Sequence, residues 1–257
     1  MSIATVDNQL IHYEVVGHGQ PLVFIHGWLG SWRYWWPSMQ SLAARHRTYA
    51  FDLWGFGDSS KNEAFYSLDA YVDMLDNFMD VIGIRRPITL VGHSLGASVA
   101  LRYACKNQDD IHRLALISPP IDGSNLHERM LNSDPPSIMS RVSGLSFPEV
   151  DRELRKIDQG AFTSLVQEVR QLNFTEEIKN CSIPLMIVFG EQDQIIKQPT
   201  YTLPEPTENR TYISLDCNHF PMLEQRVKFN RLMLDLIHAD GNLQDISPKD
   251  HWTRRNR

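Results

Sequence analysis

Residues 87–104 read Pro-Ile-Thr-Leu-Val-Gly-His-Ser-Leu-Gly-Ala-Ser-Val-Ala-Leu-Arg-Tyr-Ala. An apolar run of strand character, Ile88 to Val91, passes through Gly92-His93-Ser94-Leu95-Gly96 into a helix-forming, alanine-rich stretch. The expected local structure is strand, tight turn, helix, with Ser94 at the apex. A serine hydroxyl is a weak nucleophile. Catalysis through it calls for an exposed site on a strained turn, with small flanking residues that let the backbone fold sharply. Gly92 and Gly96 supply those flanks. The pentapeptide alone arises by chance in many chains, so its weight comes from what surrounds it.

Outward from this turn, short β-rich runs recur along the chain: Ile3 to Val6, Leu10 to Val16, Pro21 to Ile25, Arg47 to Phe51, Ile88 to Val91, Leu114 to Ser118, Leu185 to Phe189 and Tyr212 to Leu215. The later ones are unbroken apolar runs, the pattern of strands covered on both faces of a parallel sheet. The first two follow each other without a helix and suit an antiparallel edge pair. Ser67 stands where an N-cap would, and Leu68, Val72, Leu75, Phe78, Met79 and Ile82 follow at helical spacing until Gly83. A second helix is predicted from Pro221 to His238, with Leu223, Val227, Leu234 and Ile237 on its apolar face. The small residues Ala97, Ala100 and Ala104 would let the helix after Ser94 lie close to the sheet. Alternating strands and helices predict a doubly wound α/β domain with an eight-stranded, mostly parallel sheet over residues 1–240.

The alternation lapses over about residues 120–180, where helical fragments follow Pro135-Pro136, Pro148 and Gly160. A helical insertion above the sheet is expected there. Its apolar residues Met130, Ile138, Met139, Val142, Leu145, Phe147, Phe162, Leu165 and Val166 would pack it onto the core, with the remainder lining a pocket. Residues 241–257 are polar, end in Arg254-Arg255-Asn256-Arg257, and read as a solvated extension.

At 257 residues and 42% hydrophobic, the chain suffices for one well-buried core. A formal charge of −6 argues against nucleic acid as a partner. Cys105, Cys181 and Cys217 are odd in number and unpaired by motif, so free thiols are expected. No run approaches a membrane span and the N-terminus has no signal-peptide pattern, so the expected location is the cytoplasm. Nothing in the chain specifies an oligomeric state. Gly55-Phe56-Gly57 lacks the third glycine of a dinucleotide loop, and none of the 10 histidines forms a tight ligand set. Neither a cofactor nor a metal is implied.

Two polar groups follow late strands: Gly190-Glu191-Gln192-Asp193 after the seventh, and Asp216-Cys217-Asn218-His219-Phe220 after the eighth. In an open parallel sheet such loops project to one edge, where Ser94 also emerges. A serine needs a base for its proton, and the base needs an acid to fix its tautomer and stabilise its cation. Ser94, His219 and Asp193 supply those roles. Asp122 and Glu191 compete for the acid position. Asp52 and Asp58 are expected to hold the fourth-strand loop, and Asp216 to cap or hydrogen-bond its own turn.

Four blocks of this chain resemble the α/β-hydrolase fold superfamily over about residues 1–240: His26-Gly27-Trp28, Phe51-Asp52-Leu53-Trp54-Gly55-Phe56-Gly57-Asp58-Ser59, Gly92 to Gly96, and the Asp193 and His219 loops. The resemblance implies a Ser-Asp-His triad of Ser94, Asp193 and His219, and favours Asp193 over its competitors. It makes the insertion a cap over the active site, and it implies an oxyanion hole from the backbone amides of Trp28 and Leu95. His26 is expected to brace its loop or line the pocket, and His93 to line the pocket or pack. Trp28, Met139 and Phe220 complete the expected lining. Asn218 stands where the family has Gly, a position that asparagine can fill at positive φ. Trp28, Trp32, Trp35, Trp36 and Trp54 crowd the oxyanion side, which suits an apolar acyl or alcohol group.

The expected activity is cofactor-free hydrolysis of a small to medium apolar carboxylic ester through an acyl-enzyme. Relatives use the same triad for C–C cleavage, thioester hydrolysis, perhydrolysis or elimination, and the loop from His26 to Ser31 has some likeness to the elimination catalysts of menaquinone synthesis. A non-catalytic small-molecule sensor on the same scaffold is the alternative outside enzymes.

Overall fold

The computed structural model describes residues 2–140, 144–197 and 203–249. Val142 and the basic end at Arg254, Arg255 and Arg257 lie outside the described residues. Eight strands form one sheet: β1 (Ser2–Val6), β2 (Gln9–Val16), β3 (Gln20–Ile25), β4 (His46–Phe51), β5 (Ile88–His93), β6 (Ile111–Ile117), β7 (Leu185–Gly190) and β8 (Arg210–Leu215). Their order is β1-β2-β4-β3-β5-β6-β7-β8. β1 and β2 pair antiparallel, as do β2 and β4, while every pairing from β4 to β8 is parallel. The parallel strands are covered on both faces, and β5 and β7 are buried at every residue. Their unbroken apolar runs follow from that burial.

The helices are α1 (Trp36–Leu42), α2 (Leu68–Ile82), α3 (Leu95–Lys106), α4 (Pro135–Ile138), α5 (Pro148–Asp151), α6 (Gln159–Val169), α7 (Thr175–Asn180), α8 (Pro221–Glu224) and α9 (Arg226–His238). The Ser67 hydroxyl caps α2 by accepting from Ala70 N at 3.2 Å, and Gly83 ends it at φ 69° in the left-handed region. On α3, Ala97, Ala100 and Ala104 are buried between β5 and β6.

Two expectations are corrected at the C-terminus. The helix predicted over Pro221 to His238 is broken at Gln225 into α8 and α9. The buried face of α9 is Phe229, Leu232, Met233 and Leu236, and the predicted Leu223, Val227, Leu234 and Ile237 form a neighbouring stripe that is only half-buried. Nor is the start of the tail wholly solvated, although most of its residues are exposed. Leu243 and Ile246 are buried, and Leu243 N donates to Glu208 O beside β8 at 2.7 Å. No helix among the described residues is long and apolar enough to cross a membrane.

Between β6 and β7 the chain makes a helical excursion that carries α4 to α6 and returns through α7, which packs against α3. A narrow neck clasps its base: Gly123 N donates to Leu172 O at 2.9 Å and Phe174 N to Ile121 O at 2.7 Å. Met130, Ile138, Met139, Phe162, Leu165 and Val166 are buried, and Leu145 and Phe147 are half-buried against the core. Ionic contacts tie the excursion down as well. Glu153, fully buried, meets Arg33 Nε at 2.8 Å and Lys156 Nζ at 3.1 Å, and Lys156 meets Asp58 at 2.9 Å.

Candidate active site

Ser94 follows β5 directly and caps α3 with φ 55° and ψ −118°, a conformation costly for a side-chain-bearing residue. Its neighbours account for how the turn closes. A methyl at Gly92 would run into Gly96 O, and one at Gly96 into the Ile25 and His26 carbonyls, so only glycine fits either place. Gly190, at the end of β7, is pressed in the same way on Asn218 O, which brings the loops after β7 and β8 together.

His219 Nδ1 lies 2.7 Å from Asp193 Oδ2, and His219 Nε2 lies 3.1 Å from Ser94 Oγ. Asp193 Oδ1 accepts from the backbone amides of Ile195 at 2.8 Å and Ile196 at 3.0 Å, so this carboxylate keeps one orientation. Ser94 and His219 are each 1% exposed. The competing carboxylates go elsewhere. Asp122 accepts from Ser124 N at 2.8 Å and Asn173 Nδ2 at 3.0 Å, clasping the neck of the excursion. Glu191 is exposed. Asp216, instead of capping its turn, accepts from the Gln192 side chain at 2.5 Å.

The turn after β3 lies against the serine, since a methyl on Gly27 would sit 2.6 Å from Ser94 Cβ. His26 fixes this turn: its Nε2 accepts from Leu53 N at 2.9 Å, which puts the proton on Nδ1 to donate to Gly27 O at 2.8 Å. Burial holds the His26 pKa down, so the ring stays neutral. The Gly27–Trp28 peptide is planar and trans, so anchoring its carbonyl also fixes the direction of the Trp28 N–H. Leu95 N is the first amide of α3 and has no intrahelical acceptor. Trp28 is buried, as are Met139 at the end of α4 and Phe220, whose ring meets that of His219 edge-on at 5.2 Å. His93 is buried, and both of its nitrogens are hydrogen-bonded, to Tyr34 Oη and His219 O at 2.8 Å each.

Sequence reasoning missed the residues that hold the base loop. Glu224 of α8 accepts from Asn218 N at 2.8 Å and Phe220 N at 3.0 Å, bracketing His219. Asn218 does not have a positive φ; its side-chain oxygen accepts from His219 N at 3.0 Å. Ser118, at φ 44° after β6, donates to His219 O at 3.3 Å. None of these contacts leaves a motif in the sequence. As expected of Asp52, its carboxylate accepts from Trp32 N at 2.8 Å and Asp58 N at 3.0 Å and contacts His12 Nδ1 at 3.2 Å. Among the described residues, His12, Asp52 and Asp58 are near enough to share a cation, but Asp52 is spent on the loop and Lys156 and Arg33 neutralise Asp58.

The model of the α/β-hydrolase fold family matches residues 20–175, well over half of the chain. The chain belongs to this family. Two relatives extend along almost all of it. The non-heme chloroperoxidase CPO-A1 of Kitasatospora aureofaciens is 23% identical over 91% of this chain and 98% of its own. A 2-hydroxy-6-oxo-2,4-heptadienoate hydrolase of Pseudomonas putida is 25% identical over 88% and 91%. Among solved structures, an esterase from Exiguobacterium antarcticum superposes with a TM-score of 0.78 over 92% of this chain and 98% of its own, at 17% identity. These likenesses carry the α/β-hydrolase fold over most of the chain and support hydrolase activity.

Proposed function

We propose that this α/β hydrolase is a serine hydrolase acting on small to medium apolar carboxylic esters. One observation carries the reading: a serine on a strained strand-to-helix turn hydrogen-bonded to a histidine, which is hydrogen-bonded to a buried carboxylate, at 3.1 and 2.7 Å. With Asp193 accepting from Nδ1–H, the His219 Nε2 lone pair faces Ser94 Oγ and takes its proton as Oγ attacks the ester carbonyl. The charge formed on the carbonyl oxygen is met by the amides of Trp28 and Leu95 and by the positive end of α3. His219 returns the proton to the leaving alcohol. Water then repeats the sequence on the acyl-enzyme, with no cofactor needed.

The full-length likeness to a 2-hydroxy-6-oxo-2,4-heptadienoate hydrolase favours a second reading, attack by the same serine on a ketone carbonyl of a dienoate. The test is fluorophosphonate labelling with peptide mapping, run beside turnover of short nitrophenyl esters and that dienoate. Label on Ser94, with a loss of roughly 10³-fold or more in Ser94→Ala, is the expected result. A folded Ser94→Ala that keeps its turnover refutes it. Dienoate turnover without ester turnover selects the second reading.

A further inference from the structure

Tyr34 lies in the 3-10 turn Trp32–Trp35, far in sequence from Ser94, Asp193 and His219. Its hydroxyl is the middle of a chain that crosses the active site. Gly27 N meets Tyr34 Oη at 2.5 Å, Tyr34 Oη meets His93 Nδ1 at 2.8 Å, and His93 Nε2 meets His219 O at 2.8 Å. Tyr34 is fully buried and His93 is 1% exposed.

The direction of every bond is set by its ends. A backbone amide can only donate, so Gly27 N–H gives to the phenol oxygen. A carbonyl can only accept, so His93 must carry its proton on Nε2 and give it to His219 O. That leaves His93 Nδ1 as an acceptor and the Tyr34 O–H as its donor. One tautomer and one hydroxyl orientation satisfy all three contacts. Burial reinforces this state, raising the Tyr34 pKa well above that of a free phenol and holding the His93 pKa well below that of a free imidazole. Neither end of the chain is incidental. Gly27 begins the turn that presents the Trp28 amide, and the far end is the backbone of the residue proposed as the base.

We propose that Tyr34 and His93 are positioning residues, a directional bridge that sets the oxyanion turn at a fixed distance from the base loop. The acceptor of the serine proton and the donors to the carbonyl oxygen belong to loops after different strands, β8 and β3. Ser94 fixes neither of them covalently. His26 holds the first loop and Glu224 the second, each by contacts to the main chain, whereas the bridge ties one loop to the other. Misplacement of about 1 Å in such a constellation can cost as much as 10²-fold in rate. Neutrality of the bridge also matters, because the His93 and His219 rings lie 4.7 Å apart and a second cation there would oppose the imidazolium formed in each turnover.

This inference rests on the serine-hydrolase reading and is tested by a double-mutant cycle of Tyr34→Phe and His93→Leu on nitrophenyl ester turnover, with circular dichroism to establish folding. Tyr34→Phe is expected to lower kcat about 10-fold with KM changed less than about 2-fold, since the bridge touches no substrate. Because either substitution breaks the same chain, the double variant should be no slower than the slower single variant. Should His93→Leu not fold, His93→Gln takes its place. The glutamine amide can both accept from Tyr34 and donate to His219 O, so it should stay within about 3-fold of wild type alone and fall about 10-fold when combined with Tyr34→Phe. A Tyr34→Phe kcat within 2-fold of wild type, or losses in the two single variants that multiply in the double, overturns the bridge and leaves the hydrolase reading standing. A wild-type protein that neither labels nor turns over overturns both.

Discussion

Asp193→Asn should remove nearly all turnover while leaving the fold intact, for a reason that follows from which oxygen does what. Oδ1 accepts two backbone amides, Ile195 N at 2.8 Å and Ile196 N at 3.0 Å, and Oδ2 faces His219 Nδ1 at 2.7 Å. An asparagine in this place keeps its carbonyl oxygen toward the two amides. The reverse orientation would set an NH2 against two N–H donors, each buried unsatisfied group costing about 1–3 kcal/mol. The NH2 therefore faces His219 and can only donate. Nδ1 becomes the acceptor, the imidazole proton moves to Nε2, and His219 now presents N–H to Ser94 Oγ where a lone pair is required. The compensating negative charge is lost as well. Losing the orienting acid of a Ser-His-Asp triad costs roughly 10⁴-fold in kcat, or about 5.4 kcal/mol in activation free energy. The measurement is single-turnover and steady-state hydrolysis of a nitrophenyl ester at pH 7–8, paired with thermal unfolding. A folded Asp193→Asn with kcat within 10-fold of wild type refutes the argument.

Two further outcomes are expected. Glu153→Gln replaces a buried charge that meets Arg33 at 2.8 Å and Lys156 at 3.1 Å with a neutral amide. Arg33 is 22% exposed and Lys156 30%, so both cations can turn to water, and the loss is held to about 2 kcal/mol. For a chain of this size that is a fall in Tm of roughly 4–8 °C by calorimetry, and an unchanged Tm would show that the contact stabilises nothing. Burial raises the pKa of all three thiols, Cys105 to about 11 and Cys217 further still, with Glu224 and Asp193 adding to the effect. A raised pKa means less thiolate at a given pH, about a thousandth of Cys105 at pH 8. A disulfide reagent at pH 8 should scarcely react with the native protein and should find three thiols in guanidinium; rapid modification of Cys217 would refute the closed packing beneath the base loop.

What was legible in the sequence is what local chemistry dictates. Gly92 and Gly96 are needed where one backbone presses on another, and Ser67 and Gly83 end a helix by satisfying or releasing main-chain groups nearby. Such requirements leave marks at fixed offsets. The loops that carry Ser94, Asp193 and His219 could be assigned to one edge because parallel strands all end there. Tyr34 could not be read in this way, since its partner His93 is 59 residues away, and neither could Glu153, 120 residues from Arg33. Glu224 shows what periodicity does not reveal: its carboxylate is drawn to the Asn218 and Phe220 amides and the helix breaks at Gln225, while the buried stripe runs through Met222, Phe229, Met233 and Leu236 beside the one read from the sequence. Asp122 shows why an acid after the sixth strand is not enough, because it is occupied by Asn173 across the neck.

That neck, closed by Gly123 to Leu172 and Ile121 to Phe174, has a consequence for how such a protein can change. Its two sides are already bonded to each other, so the stretch between them behaves as a tethered loop. Doubling the length of such a loop costs only about 0.6 kcal/mol in closure entropy. Beyond the neck, α7 returns the chain to β7. Changes of length are therefore expected to be borne best in this stretch at points away from its own ties to Arg33, Gly55 and Ile195. The loops that carry Ser94 and His219 lie outside the neck, so the sequence on its two sides can vary separately so long as those ties are kept.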